Sequence, residues 1–185
     1  INPYDEYAVE AGLKLKEKFG GEVTIVSVGG EKTPESIRTA LAMGADKGIL
    51  IQDPALEQAD EWVVAEVLAK AISQIPYDII LSGRIAVDDQ SAQVAIRVAE
   101  ALGLPSVSTV LALEVEENKA VATREIDGGT EVIEVPLPAV FTAQKGLNEP
   151  RYPNMMGIMK AKNKELKVLS LNDLGFAEAP ARKSG

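Results

Sequence analysis

Two short apolar runs, IVSV at 25–28 and DIIL at 78–81, constrain this chain more than any other feature. Neither alternates polar with apolar side chains, so both read as strands covered on two faces. Helical patterns lie between them. Residues 5–19 place Ala8, Ala11, Leu15 and Phe19 roughly one turn apart and stop at Gly20-Gly21. Thr33 reads as the cap of a second helix, with Pro34 in its first turn and Gly44 after Met43. Residues 60–74 and 91–102 read as two more helices, the second closed by Gly103. Strands are expected at 22–28, 48–52 and 77–82. Such alternation implies right-handed parallel crossovers and an open sheet with helices on both sides.

The texture changes after Leu104-Pro105. Residues 107–116, 119–125 and 130–135 are extended segments, punctuated by Glu117-Asn118 and by Asp127-Gly128-Gly129. They read as an antiparallel addition. Further strands are expected at 138–143 and 166–169, while 145–163 shows no period and reads as loop. The expected fold class is therefore α/β: a three-layer α/β/α sandwich, mostly parallel, with an antiparallel extension. A chain of 185 residues suits one domain over 1–185.

Composition narrows the chemistry. The chain has no Cys and no His, so disulfides, thiolate nucleophiles, Cys/His metal sites and imidazole acid–base catalysis are excluded within it. No catalytic residue and no metal ligand is assigned. Chemistry has to be borrowed from a bound cofactor. A net charge of −9 argues against a nucleic-acid partner. No eighteen consecutive residues are apolar, so no membrane-spanning helix is expected. The acid pairs Glu116-Glu117 and Asp88-Asp89 read as turns or caps, and Trp62 reads as packing beside Val63 and Ala65. Neither a GxGxxG after a strand nor a GxxxxGK[ST] is present.

Four segments stand out as candidate sites. Residues 82–91 join the carboxyl end of an expected parallel strand to a helix start, where free N–H groups and the helix dipole attract anions. There Gly83 lets backbone approach a ligand, Gln90, Ser91 and Gln93 offer polar groups, and Asp88 or Asp89 serves as a cap. The same residues suit an ordinary strand–helix loop. Asn2-Pro3-Tyr4-Asp5 is a turn entering a helix, and Ser27-Val28-Gly29-Gly30 is a second strand end with glycines. Residues 148–160 hold three of the four methionines between Pro150, Pro153 and a lysine-rich edge. They are either a pliable partner surface or core.

From Arg124 to Lys164 the wording is more particular: REIDGG, LPAV, LNEPRY and IMKAK follow in order. With RTALAMGAD at 38–46 and NPYD at 2–5, they resemble the β subunit of electron transfer flavoprotein over nearly the whole chain. The resemblance implies an adenine-nucleotide-binding α/β fold with AMP at Gly83, Arg84, Ala86, Asp88, Asp89, Gln90, Ser91, Gln93 and Val94. It brings Asn2, Pro3, Tyr4 and Asp5 to the nucleotide, Tyr4 toward the flavin and Val28 to the adenine. FAD is then held mainly by an α subunit, the partner in a heterodimer. The resemblance also implies a recognition loop at about 148–160, anchored by Met155 with Tyr152 and Met156 beside it, and a tail from about 174. Acyl-CoA dehydrogenases of fatty-acid oxidation supply electrons and a quinone oxidoreductase takes them. The protein is then an electron carrier rather than an enzyme, cytoplasmic if bacterial and in the mitochondrial matrix if eukaryotic. Alternatives are a bifurcating form, with a second FAD in place of AMP and NADH as donor, and a stand-alone adenine-nucleotide-binding regulatory domain. Family members open before the NPYD segment and run on past Leu174-Gly175, so the sequence is expected to be trimmed at both ends.

Overall fold

The structure is a computed structural model that describes residues 3–83 and 90–181. Helix α1 is Pro3–Phe19, β1 Thr24–Val28, α2 Thr33–Met43, β2 Lys47–Ile51, α3 Glu61–Ser73, β3 Ile80–Gly83 and α4 Gln90–Leu102. Then follow β4 Ser106–Val115, β5 Lys119–Ile126, β6 Gly129–Pro136, β7 Val140–Ala143, α5 Met155–Ala161 and β8 Leu166–Leu169.

Side-chain alternation along the strands builds the layers. Ile25 packs with Val9 and Leu13 of α1 and Met43 of α2, whereas Val26 next to it packs with Ala65 and Ile72 of α3. Leu50 meets Ile37 and Leu41 of α2, while Ile51 meets Val67 and Ala71 of α3. Period-two geometry thus places α1 and α2 on one face and α3 on the other. On β7, Val140 joins Ala95 and Ala99 of α4, while Phe141 fills the core beneath β4, β5 and β6.

The parallel-rich α/β plan is as expected. Hydrogen bonding divides it into two sheets: a parallel three-stranded sheet, β1-β2-β8, and a five-stranded sheet, β3-β7-β4-β5-β6. In the second, β3, β7 and β4 are parallel, and β5 and β6 form the antiparallel extension. Among the described residues no ladder joins β1 to β3. Their side chains join them instead. Val26 and Ile80 share the cluster around Ala65, Ile72 and Val98, and Gly12 of α1 faces Val23 and Leu81 together.

Several local expectations are corrected. The buried stripe of α1 is Ala8, Val9, Ala11 and Leu13, while Phe19 is 54% exposed with the Lys18 ammonium 5.1 Å from its ring centroid. Packing against Ala40 and Met43 selects the Val9–Leu13 stripe over the one that continues to Phe19. Thr33 is the first helical residue of α2, and Lys32 at the cap position makes no side-chain cap bond. Within 145–163, expected as loop, Asn154 caps the short helix α5, accepting from the Gly157 N–H at 2.7 Å. Seven residues rich in Met carry too little period to betray a helix.

Candidate nucleotide site and docking surface

Strands β1 and β3 end at Val28 and Gly83, and α4 starts at Gln90. A Cβ on Gly83 would fall on the Asp5 carboxyl and on the Tyr4–Asp5 backbone. The glycine therefore accommodates the first turn of α1. The Asp5 carboxyl accepts a hydrogen bond from the Gly83 N–H. This contact brings Tyr4 and Asp5 to the carboxyl end of β3. The Tyr4 ring stands edge-on to Tyr7, centroids 6.3 Å apart.

The remaining candidates divide. Val28 is half-buried against the Ile51, Leu56 and Val67 cluster, on the α3 face. Val94 packs toward Ala65, Ile72 and Val98, so it faces core, whereas Gln93 is exposed. Pro3, Gln90 and Ser91 lie in the first turns of α1 and α4. Asn2, Arg84, Ala86, Asp88 and Asp89 lie outside the described residues.

At the end of β7 the chain is unusually polar. Thr109 holds a left-handed φ of 55° at an irregular step of β4. Its N–H donates to the Thr142 hydroxyl at 2.9 Å, and its own hydroxyl lies 2.7 Å from the Ser108 carbonyl and 3.1 Å from the Glu125 carbonyl. Beside it, Arg124 Nε and Gln144 Oε1 are buried without a protein partner. Sequence reasoning did not single out these residues, because the register that unites them is long-range.

The LNEPRY segment is bolted to α1. Asn148 Nδ2 donates to the Tyr7 carbonyl at 3.0 Å. Glu10, 2% exposed, accepts from the Arg151 backbone N–H at 2.9 Å, Nε at 3.0 Å and Nη2 at 2.8 Å. Arg151 also reaches Glu17. The two glutamates hold the guanidinium pKa above its ordinary value. Helix α5 is locked onto α2 in turn. Arg38 donates to the Ala161 and Lys164 carbonyls at 2.6 and 2.7 Å, and Lys164 returns bonds to Leu41 and Ala45 at 2.9 and 2.6 Å. Gly157 lies so close to the Ala42 carbonyl that a Cβ would collide.

These anchors hold the segment while its apolar side chains point outward. Tyr152 is 92% exposed, Met155 79%, Met156 66% and Met159 65%. An open cleft of about 550 Å³ runs alongside, between α2 and α5, lined by Ala42, Pro153, Ile158 and Ala161 with Glu35 and Arg38 at its edge. A contiguous apolar surface on an ordered scaffold suits protein docking. The alternative of a methionine core is corrected: these methionines face outward because α5 buries only Ala161 against α2. The Glu10 and Arg151 anchor was missed, since an acidic residue inside a helix carries no signal of burial.

Among the described residues no cluster of acidic side chains is arranged to hold a metal, and no helix is long and apolar enough to cross a membrane. A family model described as Electron transfer flavoprotein domain matches residues 1–174. The electron transfer flavoprotein subunit beta of Bacillus subtilis is 47% identical over 98% of this chain and 71% of its own length. The protein of the same name from Syntrophomonas wolfei is 49% identical over 100% of the chain and 76% of its own length. The caffeyl-CoA reductase-Etf complex subunit CarD of Acetobacterium woodii is 38% identical over 96% and 68%.

Proposed function

This chain belongs to the electron transfer flavoprotein family, and we propose that it works as the β half of a heterodimer that ferries electrons through FAD. An α subunit holds most of the FAD, and this chain closes over it and binds AMP. Acyl-CoA dehydrogenases of fatty-acid oxidation dock on α5 and reduce the flavin, and a quinone oxidoreductase accepts the electrons. Residues 1–185 form one domain of that assembly, working in the bacterial cytoplasm or in the mitochondrial matrix.

The exposure of Met155, Met156 and Met159 on a helix held by Arg38, Lys164 and Arg151 carries this reading. The residues also suit a nucleotide. The first turn of α4 offers N–H groups without intrahelical partners. The Tyr4 backbone lies against Gly83, and Arg124 Nε is a buried donor awaiting an acceptor. FAD, when bound, supplies the electron relay, and the protein orients it and tunes its potential.

The test is dehydrogenase-dependent flavin reduction at limiting dehydrogenase. Met155→Ala removes three heavy atoms beyond Cβ, roughly 2 kcal/mol if they become buried on docking. The rate should fall by roughly tenfold or more, with flavin content, AMP content and melting temperature unchanged. An unchanged rate refutes the docking assignment. Likeness to a subunit of a reductase–Etf complex favours a second reading, the bifurcating form. Nucleotides released on denaturation separate the two: FAD and AMP in equal amounts for the simple carrier, FAD alone in double amount for the other.

A further inference from the structure

Glu10 enters the docking role only as the partner of Arg151, yet it is the one carboxylate among the described residues that is almost wholly withdrawn from water, at 2% exposure. A carboxylate survives such burial only when paired and hydrogen-bonded. Both of its oxygens are spent on Arg151. The bond from the Arg151 backbone N–H matters most, because it fixes main chain as well as side chain. Glu10 sits mid-helix on a face of α1 that also contributes Val9 and Leu13 to the core, so it cannot drift. From Arg151 the path to the methionines is short and stiff. Pro153 fixes its own φ, Asn154 caps α5, and Met155 is the first helical residue. At the other end, Gly157 and Ala161 are held by α2 through the Ala42 contact and Arg38.

We infer that Glu10, acting through Arg151, is a positioning residue for the docking helix: it fixes the pose in which Met155 and Met156 are presented, and so sets affinity for the dehydrogenase without touching it. This rests on the docking role proposed for Met155. Loss of the pair lets the 148–154 segment wander, and the partner then has to bear the entropy of ordering it. Such a defect weakens binding and leaves electron transfer in the formed complex as it was.

The experiment uses the whole heterodimer with its flavin, an acyl-CoA dehydrogenase and its acyl-CoA substrate, across a series of dehydrogenase concentrations. The variants are Glu10→Gln, Met155→Ala and the double variant. Glu10→Gln should raise the KM for dehydrogenase by roughly tenfold with kcat and flavin content unchanged. In the Met155→Ala background it should add less than about twofold, because a poorly held anchor costs nothing once the anchor is gone. A parent-like KM in Glu10→Gln, with Met155→Ala still impaired, overturns the positioning role and leaves the docking role standing. Losses that multiply in the double variant also overturn it, placing the effect of Glu10 elsewhere. A parent-like KM in Met155→Ala overturns the docking role itself. Should Glu10→Gln fail to assemble, Glu17→Gln replaces it, removing only the exposed second carboxylate on Arg151. It should raise KM by about two- to threefold, again without effect in the Met155→Ala background, and a parent-like KM counts against positioning.

Discussion

Replacing Gly83 with Ala separates what the protein needs at that position from what a ligand needs. The added Cβ would lie 2.5 Å from the Asp5 nitrogen and 2.6 Å from the Tyr4 carbonyl carbon, both backbone atoms of α1. Backbone cannot swing aside as a side-chain tip can, so the first turn of α1 has to move. Overpacking of this kind costs about 3 kcal/mol at the upper end of its usual range. Alanine also reduces the freedom of the unfolded chain, which returns roughly 0.5–1 kcal/mol. The net loss is about 2 kcal/mol, or on the order of 4–8 °C in melting temperature for a chain of this size. The assay is thermal unfolding of the heterodimer with its nucleotides and again after they are stripped. A drop of equal size in both states is expected, because the collision is with α1. A drop seen only with nucleotide bound would mean that the glycine serves the ligand. A melting temperature within about 1 °C of the parent in both states would refute the contact itself.

Further expectations follow from single geometric facts. In the hairpin joining β5 to β6 only Gly128 has a positive φ, +83°, with open space where a Cβ would go. Gly128→Val should therefore lose about 1–2 kcal/mol through backbone strain alone, and Gly129→Val should lose much less, as read by denaturant titration. Equal losses would remove the distinction. Burial alone would raise the Asp46 carboxyl, but Lys16 at 2.6 Å and the Val23 N–H at 2.7 Å hold it below its ordinary value. Its contribution is thus complete above the ordinary carboxylate range near pH 4 and lost as pH falls through the lowered value. Asp46→Asn should be less stable than the parent by about 1 kcal/mol at pH 7, and the gap should close in acid. A gap that persists unchanged at low pH would exclude Asp46 as its source.

Most of the fold was legible because its signals are local. Gly20-Gly21, Gly44 and Gly103 stop helices where sequence alone stops them, and β8 falls on 166–169. The helix expected at 60–74 is α3, with Asp60 as its cap, accepting from the Val63 N–H at 2.9 Å. What escaped is non-local. Glu10 and Arg151 are 141 residues apart, and nothing near either one announces that they meet. Gly83 and the first turn of α1 that lies on it are likewise far apart along the chain. Helix α5 escaped for a different reason: its stability comes from Arg38, Lys164 and the bare Gly157 backbone lying on α2, rather than from an apolar stripe of its own.

The divided sheet has a mechanical consequence. A hydrogen-bonded ladder resists sliding, whereas interdigitated side chains permit small displacements. Between β1 and β3 the contact is of the second kind, so the molecule holds a slip plane between two rafts of strands. Helix α1 crosses that plane like a strut. Its 17 residues span about 25 Å. At its first turn it bears on Gly83 in one raft, at Gly12 on Val23 and Leu81 from both, and at Glu10 on the segment that leads to the methionines. One short rod thus touches the strand end at Gly83, both rafts at Gly12 and, through Glu10, Arg151.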